Sequence, residues 1–275
     1  MGTLFLVATP IGNLEDISHR ALRTLREARQ IAAEDTRVTR KLLSHYDIHT
    51  PLISYFEHNK LSRVGPILRE LDGGDVALVS DAGTPGLNDP GYELVRAALE
   101  AGHEVRAIPG AASPIAALVC SGLPTDTFLY LGYLPRKATE RRARLQEVSD
   151  LPYTLVLLEA PHRLVATLGD LLGIMGDRQM AVARELTKLH EEVWRGAASE
   201  AIQHFHNPRG EFVLIVHGKA AGINGRWSAE EVRHAILQRL AAGHAPTALA
   251  AEISDKSGWE RREIYKLASA QKKER

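Results

Sequence analysis

Three loops rich in small residues have the composition of loops that bind ligands through their backbone. They run through residues 8–13 (Ala-Thr-Pro-Ile-Gly-Asn), 80–86 (Ser-Asp-Ala-Gly-Thr-Pro-Gly) and 109–113 (Pro-Gly-Ala-Ala-Ser). Their glycines permit a close approach of the backbone to a ligand, and Asp81 can accept hydrogen bonds from it. A tight turn that Asp81 caps explains any single loop equally well. Three such loops at one edge of a sheet would instead line a common cleft.

Three clusters of polar residues could supply groups for acid–base chemistry. They are residues 33–37 (Ala-Glu-Asp-Thr-Arg), 55–59 (Tyr-Phe-Glu-His-Asn) and 184–188 (Arg-Glu-Leu-Thr-Lys). The first follows an apolar run and opens a helix, where Asp35 or Thr36 would cap the N-terminus. Capping explains Asp35 alone, but not Glu, Asp and Arg together at the end of a predicted strand, where functional groups often lie. For His58 and Lys188, an exposed position without a function is an equally good interpretation.

The pattern of apolar residues places these loops and clusters after β-strands. Short apolar runs predict strands at residues 3–8, 31–33, 76–80 and 104–108. Amphipathic segments between the runs predict helices, so the first half of the chain reads as a parallel sheet covered by helices. Because the carboxyl ends of parallel strands meet at one edge of a sheet, the three loops are expected to converge there.

In the second half of the chain, predicted strands and helices alternate less regularly than in the first half. Strand-like runs occur at residues 128–131, 154–158, 179–183, 193–196 and 212–217. Fewer helical segments separate them, which predicts a mixed or antiparallel sheet. From residue 226 onward, three short helices resemble a helix-turn-helix bundle, with Ser228 and Glu231 forming a capping box at its start.

The chain is therefore expected to be an α/β protein of two domains with a small helical extension. The expected bounds are residues 1–112, 113–218 and 226–275. A Gly-containing linker at residues 218–225 precedes the extension, so the sheets should fold without it.

The amino-acid composition and overall charge indicate which broad class of protein this chain belongs to. With 44% hydrophobic and 25% charged residues, the chain of 275 residues matches an ordinary soluble globular protein. Its 34 basic and 34 acidic residues cancel, which argues against attachment to nucleic acid by overall charge alone. The single cysteine, Cys120, cannot form an intramolecular disulfide, and neither a targeting signal nor a membrane span is visible. A cytoplasmic location is the expectation.

Common nucleotide and metal motifs are missing from the sequence. There is no P-loop motif and no G-x-G-x-x-G after the first strand, so neither a P-loop site nor a Rossmann dinucleotide site is supported. There is also no H-E-x-x-H or C-x-x-C, and His45 with His49 is an isolated pair at helical spacing. No metal site is predicted.

Two basic regions have the charge that binds a phosphate chain. The first follows Pro135 and comprises Arg136, Lys137, Arg141, Arg142 and Arg144. The second is the C-terminal segment 226–275, with ten Lys or Arg against seven Asp or Glu. Both regions read equally as solvated helix faces, although several cations on one helix can contact consecutive phosphates.

Five motifs in order along the chain resemble those of a known family. They lie at residues 8–14, 33–37, 80–86, 121–124 (Ser-Gly-Leu-Pro) and 184–188. They resemble the bacterial small-subunit ribosomal RNA methyltransferases of type I, which belong to the tetrapyrrole methylase superfamily. The similarity runs from about Thr3 to His217, and the helical tail is similar to an extension that many members carry.

The resemblance implies a two-domain α/β homodimer that holds S-adenosylmethionine in the cleft between its domains. It implies methyl transfer to the 2′-hydroxyl of a cytidine ribose in the decoding region of 16S rRNA, within the small ribosomal subunit. Residue by residue, it places the cofactor against Pro10, Ser80, Asp81, Ala82, Gly83, Thr84, Pro85, Ala112, Ser113, Leu158, Leu186 and Glu211. It makes Asp35, then Lys188 and His58, candidates for the base or hydrogen-bond acceptor, and Arg37 a phosphate ligand.

The resemblance also favours RNA binding by the cations from Arg136 to Arg144. Two alternatives stay open at this point. One is a methylase of tetrapyrroles or other small molecules, although members acting on tetrapyrroles carry Gly-Asp-Pro where this chain has Asp81-Ala-Gly-Thr-Pro85. The other is a non-catalytic RNA-binding protein, which would not bind S-adenosylmethionine.

Overall fold

The computed structural model describes residues 2–219 and 227–273, and the chain divides into two compact units, Met1–Gly218 and Lys219–Arg275. The first unit contains two five-stranded sheets. The described part of the second unit contains three helices. Most of the predicted linker at residues 218–225, and residue 226 with which the predicted extension begins, lie outside the described residues.

The first sheet is parallel throughout and has the strand order β3-β2-β4-β1-β5. Its strands are β1 (Thr3–Val7), β2 (Gln30–Ala33), β3 (Leu52–Ser54), β4 (Val76–Val79) and β5 (Glu104–Ile108). The helices between and beside them are α1 (His19–Glu27), α2 (Thr36–His45), α3 (Lys60–Gly73) and α4 (Tyr92–Glu100), with a single 3-10 turn at Leu14–Asp16. All four residues of the central strand β4 are buried, because helices cover both faces of the sheet.

The second sheet is mixed and has the order β6-β7-β10-β8-β9, in which only β6 and β7 run parallel. Its strands are β6 (Phe128–Tyr133), β7 (Thr154–Glu159), β8 (Gln179–Arg184), β9 (Glu192–Ala197) and β10 (Phe212–Val216). The accompanying helices are α5 (Ser113–Cys120), α6 (Ala138–Val148), α7 (Pro161–Met175) and α8 (Ala198–His204).

Side chains that alternate along β7 pack on opposite faces of the second sheet. Leu155 and Leu157 join the core beneath α6, α7 and α8, whereas Val156 packs with Ala117 and Leu118 of α5. The face under α5 is the one that looks toward the first sheet's loops, as the site below shows.

The C-terminal unit comprises α9 (Ala229–Ala241), α10 (Pro246–Ser257) and α11 (Arg261–Lys273). The predicted capping box is present, since Glu231 N–H donates to Ser228 Oγ and Glu231 Oε2 accepts from Ser228 N–H. Gly258 ends α10 with a φ of 66°, in the left-handed conformation that glycine adopts most readily. The helices enclose a small apolar core of their own around Ile236, Leu249 and Ile264.

The predicted fold class is confirmed, and all nine predicted strands form within two residues of their expected ends. Strand β3 was not predicted, because its three residues are all partly exposed and do not form an apolar run long enough to indicate a strand. The start of α5 at Ser113 coincides with the predicted boundary after residue 112, but the domain boundaries themselves stay predictions. Within the described residues, no helix is both long and apolar enough to cross a bilayer.

Candidate active site

The three small-residue loops converge at the carboxyl edge of the first sheet. Thr9 and Gly83 exchange two backbone hydrogen bonds, at 2.9 and 3.0 Å, and so pair the first loop with the second. Thr84 Oγ1 donates to the carbonyl oxygen of Ala111 at 3.2 Å, which ties the second loop to the third. Gly83 has a φ of 82°, a conformation that disfavours any residue with a Cβ.

These loops form one wall of a cavity of about 260 Å³, and the second sheet forms the opposite wall. The sequence-predicted cofactor residues that line it are Asp81, Ala82, Gly83, Thr84, Ala112, Ser113, Leu158, Leu186 and Glu211. Ser80 and Pro85 are buried in the loop and do not line the cavity. Pro10 lines a separate cavity beside α2.

The structure adds lining residues to which the sequence analysis assigned no role. From the first half of the chain they are Ile11, Glu34, Leu87, Asn88, Asp89 and Pro114, and from the second sheet Tyr130, Tyr133, Ala183, Phe212 and Val213. Glu34 stood in a recognised polar cluster without an assigned role. The Asn-Asp-Pro sequence at residues 88–90 is a turn signal directly after the second loop, and this signal could have pointed to Asn88 and Asp89.

Four carboxylates line the cavity; Glu211 pairs with Lys188, and the other three, Glu34, Asp81 and Asp89, make it acidic. Burial raises the pKa of Glu34, and repulsion from Asp89 and Asp81 raises it further. Burial is likewise the main cause that raises the pKa values of Asp81 and Asp89. Because like charges in a partly buried site repel one another, a cationic ligand group here would be favourable.

Tyr130 offers a hydrogen-bond donor to the cavity. Its hydroxyl oxygen is buried and has no hydrogen-bond partner among the described residues. Burial, and then the neighbouring Tyr133 and Asp89, raise the pKa of Tyr130 to about 12, so the hydroxyl keeps its proton. A buried hydroxyl without a partner is unfavourable unless a ligand completes its hydrogen bonding.

Asp35 lies beside the cavity and caps α2, as one reading of the sequence predicts. Its carboxylate accepts from the Arg37 backbone N–H at 2.8 Å and from Arg37 Nη2 at 2.6 Å. These side-chain and backbone hydrogen bonds from Arg37 lower the pKa of Asp35 to about 2. Asp35 is therefore a weak base at neutral pH, although its oxygens can accept a hydrogen bond.

Lys188 forms an ion pair with Glu211, which lines the cavity. Its Nζ contacts Glu211 Oε2 at 2.9 Å and Glu185 Oε1 at 3.0 Å. Burial alone would lower the pKa of Lys188, but the hydrogen bonds that its Nζ donates to the carboxylates of Glu211 and Glu185 outweigh burial and raise the pKa. Lys188 stays protonated at neutral pH and cannot take up a proton there.

The turn that carries Lys188 is strained and joins the two sheets. Thr187 has a φ of 66°, which is unfavourable for a β-branched residue. Its Oγ1 accepts from the backbone N–H of Asn13 in the first loop at 3.0 Å. A Cβ on Gly12 would lie 2.5 Å from Cγ of Lys188, so the first loop touches the turn directly. Strain of this kind is common at functional sites.

His58 is not brought to the cavity. It lies exposed in the turn before α3, and its ring contacts Phe56 edge-on. No geometric feature of the described residues distinguishes His58 from a surface histidine.

The predicted phosphate-binding cations from Arg136 to Arg144 differ in exposure. Arg141 is 6% exposed, and its Nη2 contacts Asp170 Oδ2 at 2.6 Å. A phosphate cannot reach this guanidinium, so the structure corrects its predicted role to a structural one. Arg142 shares Asp170, while Lys137 and Arg144 pair with Glu140 and Glu147. Helix α6 begins only at Ala138, after Arg136 and Lys137.

No group of three His, Cys, Asp or Glu that could hold a metal ion occurs among residues 2–219 and 227–273.

Comparison with known proteins identifies the family. Residues 3–202 match the model of the tetrapyrrole (corrin/porphyrin) methylases. The chain is 46% identical over 273 residues to ribosomal RNA small subunit methyltransferase I of Halalkalibacterium halodurans, covering 97% of this chain and 94% of that protein. It is 47% identical over 272 residues to the protein of that name from a Synechocystis species, covering 98% of each.

Solved structures show the same fold at lower identity. Uroporphyrin III C-methyltransferase from Thermus thermophilus superposes with a TM-score of 0.57 at 21% identity, covering 80% of this chain and 98% of that one. The family resemblance read from the five motifs is thus confirmed. The chain belongs to the tetrapyrrole methylase family and, within it, to the ribosomal RNA small subunit methyltransferase I group.

Proposed function

We propose that the protein transfers a methyl group from S-adenosylmethionine to the 2′-hydroxyl of a cytidine ribose in the decoding region of 16S rRNA, acting on the small ribosomal subunit. The observation that carries this proposal is an acidic cavity between the two sheets, in a chain that aligns over nearly its whole length with ribosomal RNA methyltransferases. The departure of residues 81–85 from Gly-Asp-Pro further disfavours a porphyrin-like acceptor.

The residues of the cavity fit this cofactor. Glu34, Asp81 and Asp89 are negative groups that complement a sulfonium and an ammonium ion. The unpartnered Tyr130 hydroxyl can donate to a polar atom of the cofactor, and the backbone at residues 82–84 lines the same space. When bound, S-adenosylmethionine supplies a methyl group that is already activated by the positive sulfur.

The protein must then align the ribose oxygen with that carbon. A new oxygen–carbon bond forms as the carbon–sulfur bond breaks, and the hydroxyl proton leaves to an acceptor. Asp35 is proposed as a hydrogen-bond acceptor for the hydroxyl, whereas Asp81, with its raised pKa, is better suited to take up the proton. Orientation in the cleft supplies most of the remaining rate enhancement.

Lys188 and His58, the other two candidates for the base, do not act as the base in this proposal. Lys188 is protonated and holds Glu211 at the cavity wall, which makes it a positioning residue. His58 keeps no argument beyond its place in the polar cluster at residues 55–59. Arg37, whose side chain is 83% exposed, stays a proposed phosphate ligand.

The four accessible cations near α6, namely Arg136, Lys137, Arg142 and Arg144, also stay a proposed RNA contact. Reversal of Arg142 and Arg144 to Glu should weaken subunit binding without changing cofactor affinity. Unchanged subunit binding would mean that this helix presents only a solvent-exposed face and does not contact RNA.

We also retain the homodimer and the cytoplasmic location as proposals. Helix α5 exposes Ile115 and Val119, which gives a second copy of the chain an apolar surface to bury. Light scattering on the purified protein tests the oligomeric state.

One experiment tests the proposed reaction. The protein is incubated with labelled S-adenosylmethionine and undermethylated small subunits, and the modified nucleotide is mapped. Label on a cytidine ribose supports the proposal. Label on a base, or on uroporphyrinogen III supplied without RNA, contradicts it. If calorimetry detects no binding of S-adenosylmethionine, the non-catalytic RNA-binding alternative holds instead.

A further inference from the structure

A second cavity of about 210 Å³ adjoins the cofactor cavity, between the first loop and α2. Its lining residues are Thr9, Pro10, Leu14, Val38, Lys41, Leu42 and Asp81. Asp81 lines both cavities, so the two share one carboxylate at their boundary. A ligand in the second cavity would therefore lie directly beside the methyl donor's site.

The walls of the second cavity are apolar and fixed in position. Val38 and Leu42 stand one turn apart on α2, and Leu14 faces them from the 3-10 turn. The Tyr46 hydroxyl at the end of α2 donates to the Leu14 carbonyl oxygen at 2.6 Å, which holds the two walls together. Val38 and Leu14 are nonetheless 39% and 38% exposed, so their apolar surface is open to a ligand.

Positive charge lies along α2, the helix that forms one wall of this cavity. Helix α2 carries Arg37, Arg40 and Lys41, all exposed, and contains no Asp or Glu. Lys41 lines the cavity and shares a helix face with Arg37 at i, i+4 spacing. Arg40 and Lys41 make no ion pair with the described part of the chain. The cations near α6, by contrast, largely have carboxylate partners.

We propose that the second cavity binds the pyrimidine base of the nucleotide to be methylated, while Arg37 and Lys41 bind the phosphates on either side of it. This inference rests on the proposed function. A base in the second cavity and a methyl donor in the first would bring the connecting ribose to Asp81, at the boundary. Enzymes that act on a base draw its nucleotide out of the stack into a pocket that fits the base, and phosphate contacts fix the register of the nucleic acid.

A bulky side chain in the cavity tests the proposal. Val38→Trp fills the space, and Val165→Trp on α7 is the control, because Val165 is also 39% exposed and lies outside both cavities. We expect Val38→Trp to lower kcat/KM for methyl transfer to undermethylated small subunits roughly 10- to 100-fold, because the base loses its apolar contacts in the filled cavity. The Kd for S-adenosylmethionine should not change, and Val165→Trp should behave as wild type.

A charge reversal gives a second, independent test. Lys41→Glu should weaken subunit binding and reduce its salt dependence, whereas Arg69→Glu, an exposed reversal on α3, should not. Wild-type transfer rates in Val38→Trp overturn the proposal while the proposed function stands. A parallel loss of cofactor affinity in Val38→Trp overturns it too, since the cavity would then belong to the cofactor. Failure of the wild-type protein to bind the cofactor contradicts the proposed function itself.

Discussion

The backbone N–H of Asp35 donates a hydrogen bond to Oδ1 of Asp81 at 2.9 Å. This bond connects the start of α2 to the loop that follows β4, two segments 46 residues apart in sequence. Asp81 borders both cavities, so the bond fixes the carboxylate at the point where a donor and an acceptor would meet. Substitution of Asp81 removes the acceptor of this bond and should therefore lower the rate of methyl transfer in addition to any loss of cofactor affinity.

Replacement of Asp35 separates its capping role from its charge. Asp35→Ala should lower the rate of methyl transfer about 100-fold or more with the cofactor saturating, because the hydroxyl loses its acceptor. Asp35→Asn should retain the helix cap and the thermal midpoint, since Asn caps as well as Asp, but should lose part of the rate, because a neutral amide oxygen is a weaker acceptor than a carboxylate. Single-turnover kinetics measure this. Normal turnover in Asp35→Ala would show that Asp35 takes no part in the reaction.

Removal of the Tyr130 hydroxyl should affect the cofactor and not the fold. Tyr130→Phe deletes a buried group that has no partner in the described protein, so thermal stability should be unchanged or slightly higher. The Kd for S-adenosylmethionine should rise roughly 3- to 10-fold, as for one lost hydrogen bond. Calorimetry measures the Kd, with Tyr153→Phe on an exposed loop as the matched control. Equal affinities in both variants would exclude a contact from Tyr130.

The acidic cavity predicts a pH dependence of stability. The folded-state pKa of Asp89 lies above its ordinary value, so the folded protein holds the extra proton and stability falls as the pH rises through that interval. Asp89→Asn removes the ionised group and should raise the thermal midpoint at pH 7.5. The difference from wild type should vanish at a pH below the ordinary pKa, where Asp89 is protonated in both states. A larger gain at acid pH would contradict this assignment.

The same carboxylates should make cofactor binding stronger at higher pH. Glu34, Asp81 and Asp89 lose their protons at a higher pH than usual, and only the ionised forms attract a cation. The Kd for S-adenosylmethionine should therefore continue to fall as the pH rises above the ordinary pKa values of Asp and Glu. Titrations with S-adenosylhomocysteine, which lacks the sulfonium charge, provide the control and should show a weaker dependence.

The buried pair of Arg141 and Asp170 should contribute to stability and not to RNA binding. Asp170→Ala leaves a buried guanidinium without its main partner and should lower the free energy of unfolding by about 3–5 kcal/mol. Arg142→Ala removes the exposed partner of the same carboxylate, and its effect should stay within about 1 kcal/mol. Urea unfolding measures both. Similar effects of the two substitutions would mean that the pair is not the stabilising element.

The C-terminal unit should be dispensable for folding of the two sheets. Its core residues pack with one another around α9, α10 and α11. A chain that ends at Gly218 should therefore keep its thermal midpoint and its affinity for S-adenosylmethionine. Weaker binding of this chain to the small ribosomal subunit would show that the deleted unit contacts RNA. Aggregation of the shortened chain would refute the boundary.

Much of the site could be predicted because it is built on strand ends. The loops after β1, β4 and β5 each follow a readable apolar run, and parallel strands bring such loops together without further information. Asp81 was singled out as a ligand-binding residue by the same logic, whereas Thr84 was predicted only through the family resemblance. The positions of these loops depend on local sequence patterns, because any parallel sheet places the loops after its strands at one edge.

The contribution of Tyr130 and Tyr133 could not be predicted, because a bulge alters the alternation of β6. Residues three apart in a regular strand point to opposite faces. Here the register shifts between Tyr130 and Gly132, so that Tyr130 pairs with Val156 and Tyr133 with Leu158, both on one face of β7. Nothing in the spacing of apolar residues indicates the shift. The burial of Arg141 was equally hidden, since it depends on Asp170 in the following helix.

The contact between Gly12 and Lys188 limits how the cleft can open. Only a hydrogen atom at position 12 fits against the lysine stem, and the neighbouring bond from Asn13 to Thr187 spans the same gap. A hinge motion wide enough to release a bulky molecule would have to separate this bond and relax the strained turn. The lifetime of the bound donor, rather than its equilibrium occupancy, is thus the property that a Gly12→Ala substitution would alter first.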